Sequence, residues 1–190
     1  MTVFVCGHGR CGSSLVLQMI QAGGFPVFGD YPAFEPNEVS LDRTERALMP
    51  LVAGKACKIL EPHLTAWTDL SGVTAIWLDR DIREQAHSQV KFMRIVGGFS
   101  LPENGWKALR DSYGPDTSAG IGRLLSAGAA VKRLSFENLL AEPAACARLI
   151  AEWIGVPMDW HAMAAQVIDR PSKCQPGVDI ELSLIKKRKE

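Results

Sequence analysis

The sequence has no surplus of either charge. Lys and Arg together number 21, Asp and Glu together number 21, and the formal net charge is zero. Such a balance argues against nucleic acid as a main partner, because binding a phosphate backbone needs a basic surface. The one basic run, Lys186-Lys187-Arg188-Lys189, reads as a solvated end of the chain. A C-x-x-C pair is also missing. The five cysteines (Cys6, Cys11, Cys57, Cys146 and Cys174) are scattered and odd in number, so neither a disulfide framework nor a zinc site is expected. No apolar run approaches the ~20 residues of a membrane span. No charged segment followed by an apolar one precedes the strand-like residues that begin at Val3. The expectation is a cytoplasmic protein without a membrane partner. Internal repeats and linkers are absent too, which predicts one domain over residues 1–190 with an irregular tail from about 170 to 190. With 47% hydrophobic and 22% charged residues, the chain has an ordinary globular composition and enough length for one core.

The most consequential absence is local. The run VFVCGHGRCGSSLVLQM, Val3 to Met19, is a β-branched and aromatic strand, a glycine-rich loop and a helical pattern in succession. A loop of this kind turns backbone N–H groups into one concavity, and the helix N-terminus adds partial positive charge, so the site suits phosphate or another oxyanion. Gly7-x-x-x-x-Gly12 followed by Ser13-Ser14 reads like a phosphate-binding P-loop. Where an ATP-hydrolysing loop carries lysine, however, this one has Ser13, and its cation comes earlier, at Arg10.

Strands and helices alternate along the rest of the chain. Strands are predicted at Thr2–Cys6, Phe25–Phe28, Ala56–Leu60, Val73–Leu78 and Ala130–Ser135. Helices are predicted at Ser13–Ala22, Ser40–Val52, from Asp81 to about Arg94, at Trp106–Ser112, Ser118–Ala127, Pro143–Ile154 and Asp159–Ile168. Asp81-x-x-Glu84 has the form of a capping box. The pattern predicts an α/β fold in three layers around a mostly parallel, five-stranded sheet of P-loop topology. Ligands of such sheets bind at the carboxyl ends of the strands. The loop Gly7–Gly12, Glu61 and Arg80 all fall at that edge.

Arg10 offers a planar fork of donors to a tetrahedral anion, and Ser13 and Ser14 add hydroxyls at the helix start. In WLDRDIREQAHSQVKF, Arg80 leaves a buried strand and Ser88 follows eight residues later, about two helical turns on. That spacing would let both reach one phosphate.

These segments resemble the sulfotransferases that use 3′-phosphoadenosine 5′-phosphosulfate (PAPS). The family's R/K-S-G-T-T loop, which grips the 5′-phosphosulfate, is matched by Arg10, Cys11, Gly12, Ser13 and Ser14 behind Gly9. Its Arg and Ser on the 3′-phosphate are matched by Arg80 and Ser88. Its strand, acidic turn and Pro-started helix are matched by Arg133–Pro157. Cys11 replaces a serine and two serines replace threonines. The family's late Arg-Lys-Gly loop has no plain counterpart, although Arg170, Lys173 or the terminal basic run could stand in. The resemblance implies transfer of a sulfuryl group from PAPS, as co-substrate, to a hydroxyl or amine of a small or carbohydrate-like acceptor, with no metal. Arg10 would stabilise the charge that grows on the leaving oxygen. Lys58 is either a second cation beside the sulfuryl group or a strand lysine pointing to solvent. The base is sought among Glu35, Glu61, His63 and His8. Glu35 matches relatives with a glutamate after the second strand and is preferred. His63 lies near, but out of register with, a histidine that other relatives use, and could equally be a surface loop residue. His8 reads as shaping the anion loop. Tyr31, Phe34, Phe92 and Phe99 are candidates for an acceptor pocket or for the core.

Two other readings remain. A P-loop kinase would use Asp79, at the end of TAIWLD, as its magnesium acid; the plainer role for Asp79 is a salt bridge to Arg80 or Arg83, or a helix cap. A binding module would have kept the loop and lost the reaction.

Overall fold

The computed structural model describes residues 1–35, 45–97, 102, 104–169 and 173. Four strands form its centre: β1 (Thr2–Gly7), β2 (Ala56–Leu60), β3 (Val73–Asp79) and β4 (Ala130–Ser135). All pair in parallel, in the order β2-β1-β3-β4, with Val5 opposite Lys58 on one side and Ile76 on the other. β1 and β3 are buried along both faces, as their mostly apolar runs require. β4 is an edge strand and carries exposed Lys132 and Arg133, charges that discourage further pairing.

Helices cover both faces. They are α1 (Ser13–Ala22), α2 (Glu45–Val52), α3 (Ile82–Gly97), α4 (Gly105–Ser126), α5 (Phe136–Ala141), α6 (Pro143–Ile154) and α7 (Trp160–Ala164), with a 3₁₀ turn at Pro62–Leu64. On one face Val3, Val5, Ile76 and Leu78 pack with Val16, Met19 and Ile20 of α1 and Ala147, Ile150 and Ile154 of α6. On the other, Phe4, Cys6, Ala75 and Trp77 pack with Leu48 and Val52 of α2 and Leu124 of α4. Alternate strand residues thus feed two separate cores, as the period of two demands. None of the described helices is long and apolar enough to cross a membrane.

The expected fifth strand is not formed. Phe25–Phe28 contributes a single bridge, Val27 to Ala56, beyond the β2 edge. Pro26 has no N–H to extend the ladder, and Gly29 turns the chain away with φ 94°. Among the described residues the sheet therefore has four strands. The two helices expected on either side of Pro115 are one, α4. Contacts on both sides of the proline hold the helical path: Tyr113 stacks on His8, Gly120 lies against Trp77 and Leu124 enters the core. α7 is shorter than expected. Asp159 caps it by accepting from the N–H groups of His161 and Ala162. The first part of the Ser40–Val52 helix lies outside the described residues.

Candidate active site

β1 delivers the chain into the loop Gly7–Gly12 at the carboxyl edge of the sheet, and α1 begins at Ser13. Two loop residues have left-handed backbone, Arg10 (φ 67°) and Gly12 (φ 103°). At Gly12 the glycine is required twice over. Its φ disfavours any side chain, and a Cβ would lie 2.6 Å from the Phe136 ring. Arg10 is a non-glycine residue in the same conformation and needs outside support. The support comes from Arg80, whose guanidinium donates to the Arg10 carbonyl at 2.8 Å.

α3 supplies the rest of the clamp. Gln85, Ser88, Gln89 and Phe92 recur at helical spacing and face the loop as one stripe. Gln85 Nε2 donates to the carbonyls of His8 (3.2 Å) and Gly9 (3.0 Å). Ser88 Oγ accepts from Arg10 Nε at 3.2 Å. The Gln89 side chain lies directly over Gly9. Phe92 underlies the Arg10 guanidinium with 5.2 Å from Cζ to the ring centroid, and Phe136 does the same for Arg80 at 4.6 Å. Asp81 caps α3 through the N–H groups of Arg83 and Glu84. Its own N–H donates to Glu137 rather than to Glu84, so the acidic turn after β4 pins the β3–α3 junction.

A second cluster stands on the α1 face. Lys58, 5% exposed, donates to Ser14 Oγ at 2.9 Å, to the Ala33 carbonyl and to Glu35 Oε1 at 2.7 Å. All three ammonium protons are thereby engaged. The reading of Lys58 as a lysine pointing to solvent is wrong: residues Ala33–Glu35 close over it. Ser14 also donates to the Ala33 carbonyl, and Gln18 of α1 donates to Pro32. Ser13 is buried at the helix start.

The two base candidates fall on opposite sides of the strand edge. Glu35 belongs to the Lys58 cluster, with its side chain 42% exposed. His63 belongs with α4: its Nε2 is 3.9 Å from Asp116 Oδ1 and its ring is 6.1 Å from that of His8. It is only 17% exposed, so it is not a surface loop histidine. Among the described residues it makes no hydrogen bond or ion pair with Lys58 or Glu35. Glu61 ends β2 with φ 54° and donates its N–H to the Gly7 carbonyl, a backbone role at the mouth of the loop.

His8 is 5% exposed. It stacks on Tyr113 (4.8 Å), and its Nε2 lies 2.9 Å from Thr117 Oγ1. Burial holds its pKa below the usual histidine range, against the opposing pull of Asp116 and Glu61. Cys11 is fully buried and its thiol is pushed up by burial, so it fills the loop against Gly7 and does not present a thiolate. Three buried polar atoms near the loop have no partner among the described residues: Gln89 Oε1, Tyr113 Oη and His63 Nδ1.

Asp79 is committed elsewhere. Both its oxygens accept from Arg133 at 2.8 Å, a bidentate pair with β4 and not the bridge to Arg80 or Arg83 expected of it. Of the aromatic candidates, Phe34 is in the core and Phe92 lies under Arg10, whereas Tyr31 is exposed; Phe99 lies outside the described residues. So do Arg170 and the terminal basic run. Gln85 and Gln89 were not singled out from the sequence, although their spacing from Ser88 in QAHSQ was a usable signal.

No family model and no curated protein matches the chain. Among solved structures it is similar to retinol dehydratase in complex with androsterone and the inactive cofactor PAP (13% identity, TM-score 0.54), covering 87% of this chain and 62% of that one. It is similar to mouse sulfotransferase SULT7A1 complexed with PAP (12% identity, TM-score 0.55), with the same coverages. It is also similar to the sulfotransferase domain from the curacin biosynthetic pathway (13% identity, TM-score 0.56), covering 92% of this chain and 80% of that domain. The chain spans less than two thirds of the length of the first two. What it shares with all three is the fold, and that fold is the sulfotransferase fold.

Proposed function

We propose that the chain is a PAPS-dependent sulfotransferase acting on a hydroxyl or amine of a small or carbohydrate-like acceptor. One observation carries the reading. Two motifs some seventy residues apart, the loop around Arg10 and the Arg80/Ser88 pair, interlock through the Arg10–Ser88 and Arg80–Arg10 hydrogen bonds. A nucleotide carrying phosphate at both its 5′ and 3′ positions needs two such anion clamps side by side. A nucleoside triphosphate needs only the first. The PAP carried by two of the similar structures is a ligand of that kind. The orphaned Gln89 oxygen above Gly9 supports a ligand site there, since buried polar atoms in native proteins find partners.

In this mechanism the loop amides of residues 9–14 and the Ser13 and Ser14 hydroxyls hold the 5′-phosphosulfate. Arg80 and Ser88 hold the 3′-phosphate. As the S–O bond to the phosphate lengthens, negative charge grows on the leaving oxygen, and Arg10, released from Ser88, stabilises it. Lys58 reaches the same charge by exchanging one of its three partners. Glu35 is the partner it can most readily release, because that carboxylate already faces solvent. Glu35 then accepts the proton of the attacking hydroxyl or amine. His63 is the weaker base, because its near neighbours are Asp116 and His8 and not the Ser14–Lys58 cluster.

The kinase alternative loses support with Asp79, whose two oxygens are both held by Arg133. Calorimetry tests the choice: adenosine 3′,5′-bisphosphate is expected to bind more tightly than ATP, and Arg80→Ala is expected to remove that preference. Preference for ATP would overturn the assignment. Single-turnover transfer of labelled sulfate in EDTA separates the enzyme from a binding module.

A further inference from the structure

We propose that His8 is a positioning residue that fastens the anion loop to α4, and that this latch holds the loop amides in their binding geometry while the imidazole is neutral. The proposal rests on the reading of the loop as the phosphosulfate site, but the latch itself is a property of the ligand-free fold. No motif that points to that function includes α4.

Residues Tyr113, Asp116, Thr117 and Gly120 of α4 form one stripe at helical spacing, and each meets the site. Tyr113 stacks on the His8 ring with an interplanar angle of 12°. Thr117 Oγ1 meets His8 Nε2 at 2.9 Å. Asp116 faces His63. Gly120 admits Trp77, where a Cβ would stand 2.9 Å from the indole, and Trp77 in turn meets the His8 ring edge-on at 5.7 Å. His8 is therefore enclosed by β3, by the 3₁₀ turn and by α4. Its backbone carbonyl, meanwhile, accepts from Cys11 N–H at 3.2 Å and from Gln85 Nε2. One residue is thus gripped from α4 through its ring and from α3 through its carbonyl, and the next two residues are the loop apex.

A neutral imidazole with Nε2 unprotonated accepts the Thr117 hydroxyl. Protonation turns Nε2 into a donor and places a charge where the ring is almost wholly buried. The charged groups facing it are Asp116 from α4, Glu61 at the end of β2 and His63 from the 3₁₀ turn; Tyr113 from α4 also titrates, but its phenol is pushed up by burial and stays neutral. Asp116 and Glu61 favour the charged ring, and desolvation together with His63 opposes it. Desolvation is the largest influence, so the ring is neutral at pH 7 and charges only under acid. The latch is closed at neutral pH and loosens as pH falls through and below the usual histidine range.

The test uses Thr117→Val, which keeps shape and removes the hydroxyl, Thr117→Ser, which restores it, and His8→Phe, which keeps a ring to stack on Tyr113. The readouts are hydrogen exchange of the peptide spanning residues 7–12 in ligand-free protein, and affinity for adenosine 3′,5′-bisphosphate between pH 5 and 8. Thr117→Val and His8→Phe are expected to speed loop exchange about five- to tenfold and to weaken binding by a similar factor, and Thr117→Ser to restore both. The wild type loses affinity under acid more steeply than His8→Phe, since protonation of the ligand's own phosphates is common to the two. Unchanged loop exchange in Thr117→Val, or parallel pH profiles for wild type and His8→Phe, overturns the latch. Should loop exchange respond while wild-type protein fails to bind adenosine 3′,5′-bisphosphate, the latch stands and the sulfotransferase reading falls.

Discussion

Arg10 Nε donates to Ser88 Oγ at 3.2 Å, across 78 residues of chain. The bond ties the anion loop to the second turn of α3, and Arg80 secures the same loop residue from behind by donating to its carbonyl. Arg80 supports a non-glycine residue at φ 67°, and in the proposed function it also supplies charge to a 3′-phosphate. Arg80→Ala should cost more than a single charge-assisted hydrogen bond, about 3 kcal/mol or roughly a hundredfold in affinity for adenosine 3′,5′-bisphosphate. Arg80→Lys restores charge but not the reach to both the Arg10 carbonyl and a phosphate, and should recover only part of the loss. Isothermal calorimetry on the three proteins checks both statements.

Arg10 itself makes a sharper prediction. If it acts on the leaving oxygen, its removal matters more in the transition state than in the complex with the desulfated product. Arg10→Ala should lower the transfer rate by about 10²- to 10³-fold while weakening adenosine 3′,5′-bisphosphate binding by about tenfold or less. Equal losses in both would assign Arg10 to uniform binding.

The elements that carry the anion loop were legible because their signals are local. A β-branched run, a glycine loop and a helix start follow one another within Thr2–Ala22, and the structure forms β1 and α1 there. Arg80 and Ser88 stand out from their spacing at a strand end and the second helical turn after it, and the structure brings each to Arg10, Arg80 to its carbonyl and Ser88 to its Nε. What escaped was decided by tertiary contact. In Phe25–Phe28 the one readable sign against a strand is Pro26, set among strand-forming Phe25, Val27 and Phe28, and only the structure shows that pairing stops at the single bridge from Val27 to Ala56. Gly114-Pro115 reads as a break, yet Tyr113 and Gly120 anchor the helix on both sides of it. Asp79 was given partners adjacent in sequence; its real partner, Arg133, stands opposite Trp77 on the neighbouring strand. The burial of Lys58 could not be read from a five-residue strand, because it depends on residues 33–35 folding over the strand end.

That enclosure separates the roles of Glu35 and Lys58. Glu35→Gln keeps the shape of the side chain and removes the proposed proton acceptor, so kcat should fall by about 10²- to 10⁴-fold with nucleotide affinity unchanged. Lys58→Met removes the buried cation from Glu35 and leaves the Ala33 carbonyl with Ser14 as its remaining donor. It should destabilise the fold by about 1–3 kcal/mol as well as abolish transfer. Thermal unfolding run beside steady-state kinetics distinguishes the two. A Glu35→Gln protein of undiminished kcat would move the base to another residue, and His63→Gln is the next variant to measure.

The two glycines on either side of Arg10 should respond unequally to the same change. At Gly9 an added Cβ meets only the amide end of Gln89, a flexible side chain that can turn aside. At Gly12 it meets the Phe136 ring at 2.6 Å, and φ is 103°. Phe136 cannot yield easily, because its ring also underlies Arg80 and belongs to the core. Gly12→Ala should therefore lose about 1–3 kcal/mol of stability together with the anion site, whereas Gly9→Ala should fold with nearly wild-type stability and lose a smaller part of its nucleotide affinity. Chemical denaturation and calorimetry on the pair make the comparison. Equal tolerance at both positions would mean that Phe136 does not wall the loop, and the cation–π support given to Arg80 would fall with it.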